Sequence, residues 1–287
     1  MFRDDPKTLV STKWLADHLN DPNLRIFDAS WYMPDDPRNA EAEFKARHIP
    51  NARYFDIDDV ADHRSDLPHM APPVDKFLSR MRAMGVGDGH QVVVYDNAGI
   101  FSAPRVWWLC RLMGHDDVAV LDGGLPKWIA EGHPVTDTPP IIRDRHMYAH
   151  FQPQMVKDVT QIAAASKLGD YEIVDARNAA RFLGEEPEPR PGLRSGHIPN
   201  SKNLCFTDLI RADGTLKDNA ALQAEFDKAG VDLSKPVIST CGSGVTSTII
   251  NLALSRLGHD NHAVYDGSWC EWGMPSDLKV AKGANTC

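Results

Sequence analysis

Short apolar runs alternate with amphipathic segments along most of the chain. In the second half the strand-like runs are Glu172–Asp175, 236–240 and 263–265, and the helix-like runs are 219–229 and 246–257. Strands that alternate with helices predict βαβ units and a mostly parallel sheet covered by helices. Ligands of such sheets bind beyond the carboxyl ends of the strands. Cys241 directly follows one of these predicted strands, which makes it a candidate functional residue.

The same sequence blocks occur twice, in the same order. "IFDAS" and "HIPN" in the first half match "IVDAR" and "HIPN" in the second, and "VAVLDGG" matches "HAVYDGS". The offsets between equivalent residues are nearly constant: 147 from Asp28 to Asp175, 149 from His48 to His197, 145 from Asp96 to Cys241 and 144 from Trp128 to Trp272. A duplication predicts two domains of one fold. Because an aspartate cannot perform thiol chemistry, only the second copy can react through a thiol at this position.

The domain boundaries are predicted from the stretch "GHPVTDTPPIIRDRHMYAHFQPQMV", which is proline-rich and has no sustained hydrophobic period. We expect a catalytically degenerate α/β domain over residues 1–138. A linker is expected over 139–154, and a catalytic α/β domain over 155–287.

Composition and charge exclude several classes of function. The chain has 287 residues, 42% hydrophobic and 25% charged, with a net charge of −9. A negative net charge argues against a nucleic acid or an anionic membrane as the main partner. No apolar run reaches the roughly 18 residues of a membrane span, and the first residues lack the apolar core of a signal peptide. Five scattered cysteines without a C-x-x-C pair favour a reducing, cytoplasmic location and give no zinc-ligand spacing.

The loop "CGSGVTS" after the strand at 236–240 has the composition of an anion-binding nest. Glycines allow several backbone N–H groups to point at one spot, and the following helix adds partial positive charge. Such surroundings lower the pKa of a thiol and favour the nucleophilic thiolate. A buried, unreactive cysteine is the competing interpretation, and it is the one we expect for Cys110, Cys205 and Cys270.

Three chemistries fit this strand–loop–helix unit. Dinucleotide binding is a weak fit, because Ser247 replaces the third glycine of G-x-G-x-x-G. Cysteine-dependent phosphate ester hydrolysis requires an arginine at the position of Ser247, and residues 241–247 contain no cation. Sulfur transfer through a cysteine persulfide needs amide donors for one extra anionic sulfur and no arginine in the loop.

The order "HIPN … CGSGVTS … DGSWCEW", after a degenerate first copy, resembles the two-domain rhodanese family of sulfurtransferases over nearly the whole chain. The loop "CGSGVT" is similar to that of members that act on 3-mercaptopyruvate, whereas members that act on thiosulfate usually carry basic residues there. Ser247 departs from the family, which commonly has alanine at this position. Thiosulfate:cyanide sulfurtransfer, or a non-catalytic sulfur-carrier or binding module, are the alternatives.

The resemblance implies roles for individual residues. Cys241 would be the nucleophile and persulfide carrier, and the persulfide-binding loop would comprise Gly242, Ser243, Gly244, Val245 and Thr246. Arg181 and Arg190, in "ARFLGEEPEPRPG", match two arginines that bind the substrate's carboxylate and keto oxygen. Exposed arginines in a solvated acidic loop are the competing interpretation for this pair.

The resemblance also implies a catalytic relay of Asp58, His69 and Ser243, in which His69 moves a proton near neutral pH. The expected donor is 3-mercaptopyruvate, and the expected acceptor is thioredoxin, a small thiol or cyanide. The chemistry requires no metal or organic cofactor. His48 and His197 occur in both copies, including the copy without the cysteine, so we expect them to be structural.

Overall fold

The computed structural model describes residues 3–283, which form two compact units. Within the described residues the first unit contains 3–62, 71–152 and 211–216, and the second contains 63–70, 153–210 and 217–283. Neither unit is continuous in sequence. None of the helices in 3–283 is both long and apolar enough to cross a membrane.

The first unit is a parallel sheet with the strand order β1-β5-β4-β2-β3. Its strands are Leu9–Val10 (β1), Leu24–Asp28 (β2), Ala52–Tyr54 (β3), Gln91–Tyr95 (β4) and Val118–Leu121 (β5). Its helices are Thr12–His18 (α1), Ala40–Ala46 (α2), Ile57–Val60 (α3), Val74–Ala83 (α4), Ala103–Leu112 (α5) and Gly124–Ala130 (α6). Strands β2 and β5 are buried at every position, and Trp107, Trp108 and Trp128 are buried beside them.

The second unit repeats this topology, with the strand order β6-β10-β9-β7-β8 and all pairs parallel. Its strands are Val156–Lys157 (β6), Glu172–Asp175 (β7), Lys202–Asn203 (β8), Val237–Thr240 (β9) and His262–Tyr265 (β10). Its helices are Val159–Leu168 (α7), Ala179–Leu183 (α8), Asn219–Lys228 (α9), Ser247–Arg256 (α10) and Ser268–Trp272 (α11), with 3-10 turns at Pro153–Met155 and Phe206–Leu209. The predicted α/β class and duplication are therefore confirmed.

Local sequence explains where the predicted elements begin and end. Helix α7 begins with a capping box in which the Asp158 side chain accepts from Gln161 N and the Gln161 side chain accepts from Asp158 N. It ends at Gly169, whose φ of 68° lies in the left-handed region that glycine adopts at low cost. The helix predicted at 246–257 is observed at Ser247–Arg256, and the strand predicted at 236–240 is observed at Val237–Thr240.

The two histidines of the "HIPN" repeats have equivalent structural positions. His48 Nδ1 donates to Phe44 O at 2.7 Å and its ring stacks on the Phe44 ring. His197 Nδ1 donates to Phe182 O at 2.8 Å and its ring stacks on the Phe182 ring. Both are buried, so their expected structural role agrees with their contacts.

Short segments of each half belong to the other unit. Residues 63–70 pack with the second unit, and residues 211–216 pack with the first. The repeat offset of 147 carries 63–70 onto 210–217, so the two segments occupy equivalent positions in the two copies. The duplication therefore includes this reciprocal exchange, and it places His69 in the second unit.

Candidate active site

Cys241 lies between the central strand β9 and helix α10. Strand β9 is buried along its whole length, and Thr240 at its end pairs with Asp175 at the end of β7. Helix α10 covers the sheet with residues such as Ile249 and Leu252, which are fully buried. The buried strand and the apolar helix therefore fix both ends of the loop 241–246.

Helix α11 holds the start of this loop through the backbone. Trp269 N donates to Cys241 O at 3.0 Å, and Cys270 N donates to Gly242 O at 2.8 Å. Cys241 N in turn donates to Ser268 Oγ at 3.3 Å. The "DGSWCEW" motif thus fixes the backbone on which the cysteine sits.

The Cys241 thiol is buried, at 2% exposure, yet it is surrounded by hydrogen-bond donors. Gly244 N donates to its Sγ at 3.2 Å, with Gly244 at a φ of 82°. Burial alone would raise the pKa of this thiol, but hydrogen bonds from the Thr246 hydroxyl and from the backbone N–H groups of Ser247 and Ser243 lower it below its ordinary value. The loop therefore stabilises a thiolate.

Cys110 shows what burial does without such donors. It is fully buried in helix α5, and desolvation raises the pKa of its thiol to about 12. Cys110 and Cys241 are similarly buried, so the loop donors account for the opposite direction of the Cys241 shift.

The equivalent loop of the first unit holds a carboxylate in the same kind of nest. Asp96 Oδ2 accepts from the backbone N–H groups of Phe101, Ser102 and Ala103 at 2.8 to 2.9 Å, and Oδ1 accepts from Ala98 N at 2.9 Å. Asp96 is buried. The first loop is therefore filled by the chain's own anion, which is the electrostatic counterpart of a thiolate at Cys241.

A buried network of four charged side chains lies beside the Cys241 loop. Arg177 pairs with Asp175 at 2.6 Å and with Glu188 at 2.8 Å, and all three side chains are almost fully buried. Glu188 also pairs with Arg181 at 2.5 Å. A Cβ built on Gly242 would lie 3.3 Å from Arg181 Nη2, so this guanidinium lies next to the residue that follows Cys241.

Arg190 is half-buried and belongs to the same region: burial raises the pKa of Cys270, and the nearby charge of Arg190 partly opposes this rise. Across residues 3–283 it makes no hydrogen bond or ion pair. Of the two arginines predicted to bind substrate, Arg181 is thus neutralised by a buried acid, and Arg190 carries the uncompensated charge.

Ser243 and His69 are brought together as predicted. His69 Nδ1 lies 3.0 Å from Ser243 Oγ, and both side chains are about 93% buried. His69 has a φ of 61°, a left-handed conformation that is strained for a non-glycine residue. The segment 63–70 therefore delivers a histidine to the cysteine loop at a cost in backbone strain.

Asp58 lies in helix α3 of the first unit. Its carboxylate is exposed at the start of the helix, and its Oδ2 accepts from Trp31 Nε1 at 3.1 Å. A relay from Asp58 to His69 remains a prediction, since the two residues belong to different units.

Sequence reasoning missed the buried acid of the network. Glu188 is one of three glutamates in the stretch "GEEPEPR", and the sequence pattern does not say which of them is buried.

Cys270, expected to pack, is 3% exposed, and burial raises the pKa of its thiol to about 11. Cys287 lies outside the described residues.

Comparison with known protein families matches both halves of the chain. The Rhodanese-like domain model covers residues 11–131 and again 158–274. The chain belongs to the rhodanese family. The matched ranges contain Asp96 and Cys241 in equivalent loops, so the resemblance inferred from the sequence is confirmed, while the catalytic role of Cys241 stays a prediction.

Individual rhodanese-family members are similar over nearly their full length. The 3-mercaptopyruvate sulfurtransferase of Escherichia coli K12 is 43% identical over 272 residues, which cover 94% of this chain and 96% of that protein. The thiosulfate sulfurtransferase of Cricetulus griseus is 41% identical over 286 residues, covering 96% of each. The crystal structure of SseA from Escherichia coli, a 3-mercaptopyruvate sulfotransferase, has a TM-score of 0.84 at 40% identity and covers 91% of this chain and 98% of that one.

Proposed function

We propose that this rhodanese-family chain transfers sulfur from 3-mercaptopyruvate to a thiol or cyanide acceptor and releases pyruvate. The observation that carries this proposal is the Cys241 thiol, buried yet with a lowered pKa, in a loop whose donors are amides and hydroxyls. Such a site favours a thiolate and, after sulfur transfer, a persulfide anion.

The first half-reaction uses the Cys241 thiolate as nucleophile. It attacks the sulfur of mercaptopyruvate, so that a new S–S bond forms while the C–S bond of the substrate breaks. The electron pair of that bond becomes the enolate of pyruvate, and the substrate's thiol proton ends on the pyruvate methyl group. The outer sulfur remains on Cys241 as a persulfide, held by amides of residues 242–246.

The relay supplies the proton path for this step. Ser243 lies within hydrogen-bond distance of His69, whose imidazole can accept and return a proton. Asp58 is proposed to orient His69. This assignment gives the first copy of the repeat a role although it has Asp96 at the position equivalent to Cys241.

The choice of donor rests on charge. Residues 241–247 contain no cation, so recognition of the substrate's carboxylate and keto oxygen falls to Arg181 and Arg190. Thiosulfate is the second candidate donor, because the Cricetulus griseus relative named for it is nearly as similar as the mercaptopyruvate relatives.

The second half-reaction returns Cys241 to its thiolate. A thiolate of thioredoxin or of a small molecule, or cyanide, attacks the outer sulfur and leaves with it. The proposed chemistry needs no metal or organic cofactor. We place the protein in the cytoplasm, because Cys110, Cys205, Cys241 and Cys270 are all free thiols.

Mass spectrometry of the intact protein tests the proposal directly. After mixing with mercaptopyruvate, a gain of about 32 Da, one sulfur atom, is expected on Cys241. Cys241→Ser should lack both the adduct and turnover, because a hydroxyl cannot form a persulfide. Absence of the adduct in the wild-type protein would favour a non-catalytic module, and a higher kcat/KM for thiosulfate would favour the second donor.

Arg190→Ala tests substrate recognition separately. We expect a raised KM for mercaptopyruvate with little change in kcat, because a ground-state carboxylate contact contributes equally to substrate and transition state. Steady-state kinetics with cyanide as acceptor provide the measurement. Unchanged kcat and KM would remove Arg190 from the site.

A further inference from the structure

Glu188 is the one glutamate of "GEEPEPR" that is withdrawn from solvent. Glu185 and Glu186 are exposed, whereas the Glu188 side chain is 2% exposed. Burying a carboxylate is costly unless it is paired and hydrogen-bonded. Glu188 meets this condition by contacting two arginines at once, Arg177 and Arg181.

The contacts with Arg181 fix how that guanidinium is presented. Glu188 Oε2 accepts from Arg181 Nη2 at 2.5 Å, and Oε1 accepts from Nε at 3.3 Å. The Nε and Nη2 atoms, which form one edge of the Arg181 guanidinium group, therefore both donate to Glu188. Nη1 makes no hydrogen bond within residues 3–283, and the Arg181 side chain is 19% exposed. An incoming anion can therefore use Nη1 but cannot use the Nε–Nη2 edge.

The charges beside the loop cancel in pairs. Asp175 neutralises Arg177, and Glu188 neutralises Arg181. Arg190 is left as the uncompensated cation beside this network, and the loop 241–247 adds no other cation. The Cys241 thiolate offsets this one positive charge, so a second negative charge on the donor is less favourable than the first.

We propose that Glu188 is a positioning residue that orients Arg181 and restricts the sulfur donor to a monoanion. The inference rests on the proposed sulfurtransferase function and specifies its donor class. Mercaptopyruvate carries one carboxylate, whereas thiosulfate is a dianion at neutral pH. Removing the Glu188 charge would give the site a second uncompensated cation and favour the dianion.

The size of the effect follows from Coulomb's law. For two unit charges separated by about 8 Å, at an effective dielectric constant of about 20, the interaction is large enough to change the relative affinity of a dianion and a monoanion by roughly tenfold or more. Solvent screening reduces this, so about tenfold is the expected change in the ratio of the two kcat/KM values.

The experiment compares Glu188→Gln with the wild-type protein, using thiosulfate or mercaptopyruvate as donor and cyanide as the common acceptor. In a ping-pong reaction kcat/KM for the donor reports only the donor half-reaction. We expect the ratio of thiosulfate to mercaptopyruvate kcat/KM to rise about tenfold. An unchanged or lower ratio in a folded variant would overturn the proposal.

Glu172→Gln is the matched control. Glu172 is also a buried glutamate in an ion pair, with Lys202 at 2.6 Å, but it lies at the amino end of β7, whereas Asp175 and the Cys241 loop lie at the carboxyl ends of the strands. Glu172→Gln should leave the ratio of thiosulfate to mercaptopyruvate kcat/KM unchanged. An equal rise in this control would show that the ratio reports general loosening, and it would also overturn the proposal.

Two further variants separate the effect of the Glu188 charge from that of its side-chain position, and they test the proposal even if Glu188→Gln fails to fold. Glu188→Asp keeps the charge but shortens the side chain, so we expect a raised KM for mercaptopyruvate at a wild-type donor ratio. Arg181→Gln, at the more exposed partner, should lower the ratio, and a rise would count against the inference. If the wild-type protein forms no persulfide with either donor, the proposed function fails rather than the role of Glu188.

Discussion

Gly244→Ala is the sharpest test of the thiolate nest. Gly244 has a φ of 82° and donates its N–H to Cys241 Sγ at 3.2 Å. An alanine in the left-handed region costs about 1–2 kcal/mol, which lowers Tm by roughly 2–8 °C for a domain of this size. If the loop relaxes to relieve this strain, the amide no longer points at the sulfur.

The loss of that amide affects catalysis separately from stability. A hydrogen bond to a charged group contributes about 1.5–3 kcal/mol, so we expect persulfide formation at Cys241 to slow by roughly 10- to 150-fold. Single-turnover mixing with mercaptopyruvate, followed by mass spectrometry of the quenched protein, measures this rate. Differential scanning calorimetry gives Tm for the same preparations.

Gly230→Ala is the matched control for backbone strain. Gly230 has a φ of 70°, is exposed just after helix α9, and a Cβ built there meets no atom within 4 Å. The Tm of Gly230→Ala should fall by a similar amount, with no change in the rate of persulfide formation at Cys241. If Gly244→Ala behaves like Gly230→Ala, with a lower Tm and a wild-type rate, the loop amide does not stabilise the reacting sulfur.

Three other outcomes follow from the same electrostatics. Because its pKa is lowered, Cys241 should remain reactive towards iodoacetamide below the usual pKa of a thiol, and it should lose reactivity only as the pH falls through its own pKa. Cys270, with a pKa of about 11, should react only as the pH rises towards that value. Peptide mapping of the alkylated protein across a pH series measures both profiles. Thr246→Val should shift the Cys241 alkylation profile to higher pH, because the Thr246 hydroxyl lowers the pKa of this thiol, and an unmoved profile would show that the backbone donors suffice. Asp96→Ala leaves buried N–H groups without their acceptor, so it should lower the free energy of unfolding by about 3–5 kcal/mol in urea titrations. A loss below about 1 kcal/mol would contradict the conclusion that the Asp96 carboxylate stabilises the first loop.

The comparison of the two loops explains why the chain reacts in one place. Asp96 and Cys241 occupy equivalent nests of backbone N–H groups, and each nest is adapted to an anion. A fixed carboxylate fills the first, whereas a thiolate in the second can extend by one sulfur atom. The nest is thus a property of the fold, and the side chain at one position decides between structure and chemistry.

The amino-acid sequence was enough to predict the α/β class and the duplication, which the structure confirms, and it indicates Cys241 as the candidate nucleophile. These depend on short-range patterns: alternation of apolar runs, constant offsets between repeats, and glycines behind a strand end. Even the helix at 246–257 and the strand at 236–240 were predicted to within one residue at each end, because an apolar segment next to a glycine-rich turn has few alternatives.

Which polar groups come into contact depends on the tertiary fold. Glu185, Glu186 and Glu188 are alike in sequence, but only Glu188 is buried between two arginines. His69 reaches Ser243 because residues 63–70 leave their own half of the chain, a contact across 174 positions that no local pattern encodes. Burial and long-range pairing depend on how the chain closes upon itself, so the charge balance around Cys241 belongs to the fold and cannot be read from the motif.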